Sequence, residues 1–102
     1  GVVMTYKKAK LLAIDLTDDF SKLDIVQNYG KTYRASTKFE RIGISAPVAA
    51  SMPPRVNKVL KANYPAASNI GTLDMVGVGT IGDFINLFCA HAGESVPPGE
   101  PT

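Results

Sequence analysis

"GVGTIGDFINLFCAHAG", residues 77–93, decides how the rest of the chain is read. Gly77, Gly79 and Gly82 form a Gly-x-Gly-x-x-Gly run, and the only cysteine, Cys89, and the only histidine, His91, follow it. The stretch can be a nucleotide-binding loop, a catalytic Cys–His pair or a capped helix against a core. Thr80 is a good N-cap residue, and Asp83 three positions on makes a variant of the capping box, which prefers Glu or Gln there. Ile81, Phe84, Ile85 and Phe88 fall at i, i+3, i+4 and i+7, one apolar face. His91 lies in the last turn, where partial positive charge is favoured, and Gly93 suits the position after the helix. The spacing predicts a helix over about 81–91, with a structural task for every residue of the run.

The chemical readings ask for more than the stretch supplies. A dinucleotide loop needs a strand before the glycines, a second strand after the helix and an acidic residue about 20 positions on. Here the chain runs instead into "ESVPPGEPT" (94–102), with three prolines, one glycine and no large apolar residue except Val96. Cys89 and His91, at i and i+2 on a helix, point to different faces. Cys89 is therefore read as a small core hydrophobe.

Composition bounds the remaining choices. With 102 residues, the chain has the length of one domain and can bury a core without covalent staples. A single cysteine excludes an intramolecular disulfide and a Cys-rich metal site. Hydrophobic residues make up 45% and charged residues 20%, the balance of a globular domain. No apolar run approaches the ~18 residues that span a bilayer. The net charge is +2 and no Lys/Arg patch is dense enough to point to nucleic acid. The chain opens on Gly1 rather than Met, as a processed N-terminus or an engineered remnant leaves it.

The other segments are read by periodicity and punctuation. In "KKAKLLAIDL" (7–16), Leu12, Ile14 and Leu16 alternate like a strand, while Ala9, Leu12, Ala13 and Leu16 follow helical spacing. The Ala, Lys and Leu content favours helix. "DDFSKLDIVQNYG" (18–30) reads as a second helix: Asp18 and Asp19 as an acidic start rather than a metal site, Phe20, Leu23 and Val26 as its apolar positions, Gly30 as its stop. Residues 30–45 read as a long polar loop with aromatic anchors. Ser45 is a good N-cap with Pro47 inside the following first turn. Pro53 and Pro54 open another helix, with Val56, Val59 and Leu60 as its stripe and Pro65 enforcing its end. The opposite face carries Arg55, Lys58 and Lys61. Residues 66–79 are turn-rich, with one short helical turn or a few extended residues around Leu73 and Met75. The organisation expected is a helical domain over 1–93 and an extended Pro-rich tail over 94–102.

At this point a family resemblance emerges. "FERIGIS" (39–45), the helix-rich middle and "GTIGDFINLFCAHAG" look like the acyl carrier protein family. Those carriers are small four-helix bundles with a Phe before an x-Leu-Gly-x-Asp-Ser-Leu motif at the second helix. A Thr-[Ile/Val]-Gly-Asp-[Phe/Leu]-[Ile/Val] motif opens the fourth. Phe39, Ile42 and Gly43 match the first motif loosely, and Thr80, Ile81, Gly82, Asp83, Phe84 and Ile85 match the second well. The resemblance covers roughly residues 10–92 and implies an all-α, acyl-carrier-like bundle with a long first loop.

The departures from the pattern bear on function. Aligned literally, Ser45 stands where the family has its aspartate and Ala46 where it has the modified serine; only a one-residue slip makes Ser45 the phosphopantetheine acceptor. Pro47 replaces the following leucine. The family's second helix presents carboxylates to partners, whereas Arg55, Lys58 and Lys61 occupy the corresponding region here. The resemblance thus implies a copy that keeps the bundle without the prosthetic group. It is expected to be a non-enzymatic accessory or linking subunit of a larger protein assembly, an organellar (chloroplast or mitochondrion) photosynthetic or respiratory complex being one setting. Arg55, Lys58 and Lys61 would meet an acidic partner surface, and Pro97 and Pro98 would lie with the tail along a partner. The alternative is a working carrier with 4′-phosphopantetheine on Ser45.

Overall fold

The spacing of Ala9, Ala13 and Leu16 prevails over the alternation of Leu12, Ile14 and Leu16, and the N-terminal segment forms one long helix, α1 (Val2–Phe20). In this computed structural model residues 2–102 are described, the side chains of 2–4 excepted; Gly1, the first residue of the helical domain expected above, lies outside them. Tyr6, Ala9, Ala13, Leu16 and Thr17 are buried on one face of α1. The buried Thr17 hydroxyl is satisfied by donating to the Ala13 carbonyl at 2.8 Å.

The helix expected over 18–30 is a correction. Asp18, Asp19 and Phe20 belong to the last turn of α1, and only α2 (Ile25–Asn28) follows. Asp18 reaches across the turn, its Oδ1 accepting from the backbone N–H of Ile25 at 2.7 Å and of Val26 at 3.3 Å. Asp24 then caps the same short helix through Gln27 N–H at 3.2 Å. The carboxylates thus serve the start of α2, seven residues later than the sequence pattern suggested. Ile25 takes the core position, while Leu23 and Val26 stay 43% and 42% exposed.

A 3₁₀ turn over Glu40–Ile42 ends at Gly43, whose φ of +83° puts it in the left-handed region that glycine tolerates. It is followed by α3 (Ala46–Ser51), α4 (Pro53–Asn63), α5 (Thr72–Val76) and α6 (Ile81–Ala92). The α3 and α4 helices are separated only by Met52, at the point where Pro53 and Pro54 have no N–H to continue the ladder. The turn after α4 is clamped to it by Asn57, whose amide donates to the Ile70 carbonyl at 2.9 Å and accepts from Ile70 N–H at 2.7 Å.

The molecule is all-helical, with no strand among the described residues. Its principal contact is α1 on α6. Ile81, Phe84, Ile85 and Phe88 are all fully buried on the face the spacing specified, together with Cys89. Phe84 sits between Phe39 and Phe88 at centroid distances of 6.1 and 6.4 Å, and Phe88 meets Tyr64 edge-on. A radius of gyration of 12.4 Å is that of a compact domain, about 13 Å for 100 residues.

Candidate functional site

The Gly-rich stretch is built as a helix start whose donors are already used. Thr80 Oγ1 accepts from Asp83 N–H at 3.0 Å, and Asp83 Oδ2 accepts from the N–H groups of Gly79 at 3.0 Å and Thr80 at 3.1 Å. The loop before the 3₁₀ turn supplies the rest. The Thr37 carbonyl accepts from Ile81 N–H at 3.0 Å and the Ala35 carbonyl from Gly82 N–H at 2.8 Å. A β-carbon on Gly82 would lie 2.9 Å from both the β-carbon and the carbonyl oxygen of Ala35. Gly82 is therefore there for the close approach of the loop, and the N–H groups a phosphate would need are engaged within the chain.

Cys89 and His91 are directed apart, as their spacing requires. Cys89 is buried, and burial, with a smaller contribution from Glu94, pushes its thiol up to about 11. It is thus a thiol, not a nucleophilic thiolate, at neutral pH. His91 Nδ1 lies 2.9 Å from the Ser68 hydroxyl and 3.0 Å from the Ser68 carbonyl, tying the end of α6 to the turn after α4. Among the described residues no three His, Cys, Asp or Glu side chains are grouped to hold a metal ion. No helix among them is long and apolar enough to cross a membrane.

Ser45 is the N-cap of α3, its hydroxyl accepting from Val48 N–H at a long 3.4 Å. It is exposed, at the rim of a groove of about 420 Å³ whose walls include Phe39, Ile44, Ala49, Met75 and Val78. Beside this groove stands α5, held by Asp74 Oδ2, which accepts from Gly71 N–H at 2.7 Å. Met75 turns into the core, whereas Leu73 and Val76 are 89% and 76% exposed. The sequence places Leu73 beside Met75 in one short turn but does not tell which of them faces water, and Val76 is not singled out, because a five-residue helix is too short to display a period.

The basic row on α4 is exposed throughout but not uniform. The Arg55 guanidinium lies 3.4 Å from Asp19 Oδ2 at the end of α1, an exposed pair of the kind worth about 0–1 kcal/mol. Among the described residues, Lys58 and Lys61 have no carboxylate within salt-bridge distance.

The tail lies against its own domain. Glu100 Oε1 accepts from the Tyr6 hydroxyl at 2.9 Å and from Lys10 Nζ at 2.8 Å, and Tyr29 donates to the Thr102 carbonyl. Hydrogen bonds from Lys10 and Tyr6 hold the Glu100 carboxyl below its usual range. Burial, with the Glu100 charge beside it, pushes the Tyr29 phenol up to about 12. Pro97, expected on a partner, lines a groove of about 670 Å³ between α1, α2 and the tail, and Pro98 is exposed. Tyr6 and Lys10 stand at i and i+4 on α1, but nothing local links them to a glutamate ninety or more positions on. Comparison of the chain with models of known protein families, with curated proteins and with solved structures gives no match.

Proposed function

We propose that this chain is a non-catalytic, acyl-carrier-like accessory subunit, a helical domain that acts by docking onto a protein partner. The observation that carries this reading is the pair Leu73 and Val76, two large apolar side chains almost wholly in water on a short helix beside an open groove. Leaving them exposed forgoes roughly 1.5–3 kcal/mol each that burial would provide; Val76 also lines the groove, and contiguous exposed apolar surface marks interaction sites. Lys58 and Lys61, with no carboxylate in salt-bridge reach among the described residues, supply positive charge that would steer an acidic partner surface. The buried thiol of Cys89 and the tethering of His91 to Ser68 also favour a binding role over a nucleophilic one.

The test is retention in an assembly. Leu73→Asp and Val76→Asp, both at exposed positions, should each change the free energy of unfolding by no more than about 0.5 kcal/mol, the range of surface substitutions. The double variant, returned to the native source, should elute as free protein where the parent elutes in a larger complex. Co-elution of variant and parent at any size would refute docking through α5.

A second reading is favoured by Ser45 itself. An exposed serine at a helix start on the rim of a partly apolar groove is where a carrier arm could be attached and its cargo sheltered. In that reading 4′-phosphopantetheine on Ser45 does the chemistry and the protein only presents it.

A further inference from the structure

The α1–α2 face already displays a peptide bound to it, and that peptide is the chain's own tail. Two phenols and an ammonium converge on it: Tyr6 and Lys10 on the Glu100 carboxylate, Tyr29 on the Thr102 carbonyl. Lys10 Nζ also stands over the Tyr6 and Tyr29 rings, 6.0 and 5.6 Å from their centroids. Val96 packs on the core and Pro97 forms part of the groove wall. Between these contacts the tail turns, Glu100 N–H donating to the Pro97 carbonyl at 3.1 Å, which brings the Glu100 carboxylate onto Lys10 and Tyr6; proline-bearing segments are recognised elsewhere on aromatic walls of this kind.

The fit is incomplete. Beside the tail the groove keeps about 670 Å³ of open volume over Ile14, with Leu11 52% and Val26 42% exposed along it. The tail, built of small residues and prolines at this point, has no large apolar side chain to cover them. We propose that this groove is a docking site for a proline-bearing turn segment of a partner protein that carries a glutamate and a bulky apolar residue, and that the chain's own tail occupies it until such a segment displaces it. The tail holds its place through one half-buried carboxylate and a few contacts, aided by an effective concentration in the millimolar range for a short tether. A segment that repeats the glutamate contact and also covers Leu11 and Val26 outcompetes it. This deepens the accessory-subunit reading by naming a second surface and its partner's chemistry, but its test uses no assembly, so the two can fail separately.

The measurement is binding of a labelled peptide with the sequence of residues 95–102, SVPPGEPT, to the full chain. In the Glu100→Lys chain the tail is repelled by Lys10, and the peptide should bind at least tenfold tighter than to the unaltered chain. A peptide with lysine in place of its glutamate should not bind Glu100→Lys, and should bind Lys10→Glu, which in turn rejects the glutamate peptide. Tyr6→Phe, which keeps the ring in the core, should weaken the glutamate peptide on Glu100→Lys severalfold. Replacing one peptide proline by leucine should tighten binding. Affinities that ignore the charge swap, or no saturable binding at millimolar peptide, overturn the proposal. So does a dimer of the unaltered chain that Glu100→Lys converts to monomer, because the groove then serves a second copy's tail.

Discussion

Gly82 and Cys89 are two residues whose roles the sequence raises as chemistry and the structure answers as packing. At Gly82, alanine should gain up to about 1 kcal/mol of helix propensity. Its β-carbon, however, would meet a backbone carbonyl and a methyl group of Ala35 at 2.9 Å, and a backbone oxygen cannot swing aside as a side-chain tip can. Overpacking of this kind costs about 1–3 kcal/mol, so Gly82→Ala should lower stability in urea titration; an unchanged or raised midpoint would contradict the close approach. Cys89, with its thiol pushed up by burial to about 11, should react with iodoacetamide only through unfolding. Its alkylation rate at neutral pH should rise with urea in step with the unfolded fraction, and fast labelling of the native chain would contradict its burial. The core role of Cys89 was legible from its place on the helix face. The reason for Gly82 was not, because Ala35 is 47 positions away in the chain and only the fold brings it near.

Among the elements, α6 was the most legible, because cap, apolar face and terminating glycine all agree within one short stretch. Thr80, Asp83 and Gly93 do what local geometry assigns them: the capping box closes, and Gly93 takes φ +77°. Its apolar face packs chiefly on α1, so Phe84→Ala or Phe88→Ala should cost about 3–5 kcal/mol. A loss below about 1 kcal/mol, measured by chemical denaturation, would place that face outside the core. The start of α3 was also legible, though weakly anchored: with a 3.4 Å cap bond, Ser45→Ala should cost no more than about 1 kcal/mol. The segment 18–30 misled because two acidic residues before an apolar period look the same whether they open a helix or close one. What decided it was the long reach of α1 through Phe20, which left Asp18 to cap α2 from across the turn.

Over the whole molecule, what the sequence could not convey is how its distant parts meet. The tail composition predicts an extended segment unable to pack on itself; the tail instead turns at Pro98–Gly99, the Pro97 carbonyl accepting from Glu100 N–H at 3.1 Å and Glu100 Oε2 from the Thr102 hydroxyl at 3.0 Å, and Tyr6, Lys10 and Tyr29 supply its contacts to the helices. The Glu100 carboxyl is held below its usual 4.5 by Lys10 and Tyr6. A depressed carboxyl contributes stability above its unfolded value and loses it as pH falls through the folded one. The stability difference between the unaltered chain and Glu100→Gln should therefore be constant above pH 4.5 and disappear on further acidification. A difference that grows as pH falls would contradict the cradle. The contribution is small, about 0–1 kcal/mol for a pair still partly in water, which suits a tail that can be displaced. The docking reading rests on other exposed surfaces, α5 with Leu73 and Val76, whose groove shares no lining residue with the tail's, and the Lys58–Lys61 face. The claim that most divides the readings is that Ser45 caps a helix and carries nothing. Tryptic cleavage after Arg41 and Arg55 isolates it in the peptide 42–55. Mass spectrometry of that peptide, from protein purified from its native source, should give the mass of the unmodified sequence, whereas a 4′-phosphopantetheine adduct on Ser45 would contradict the non-catalytic account.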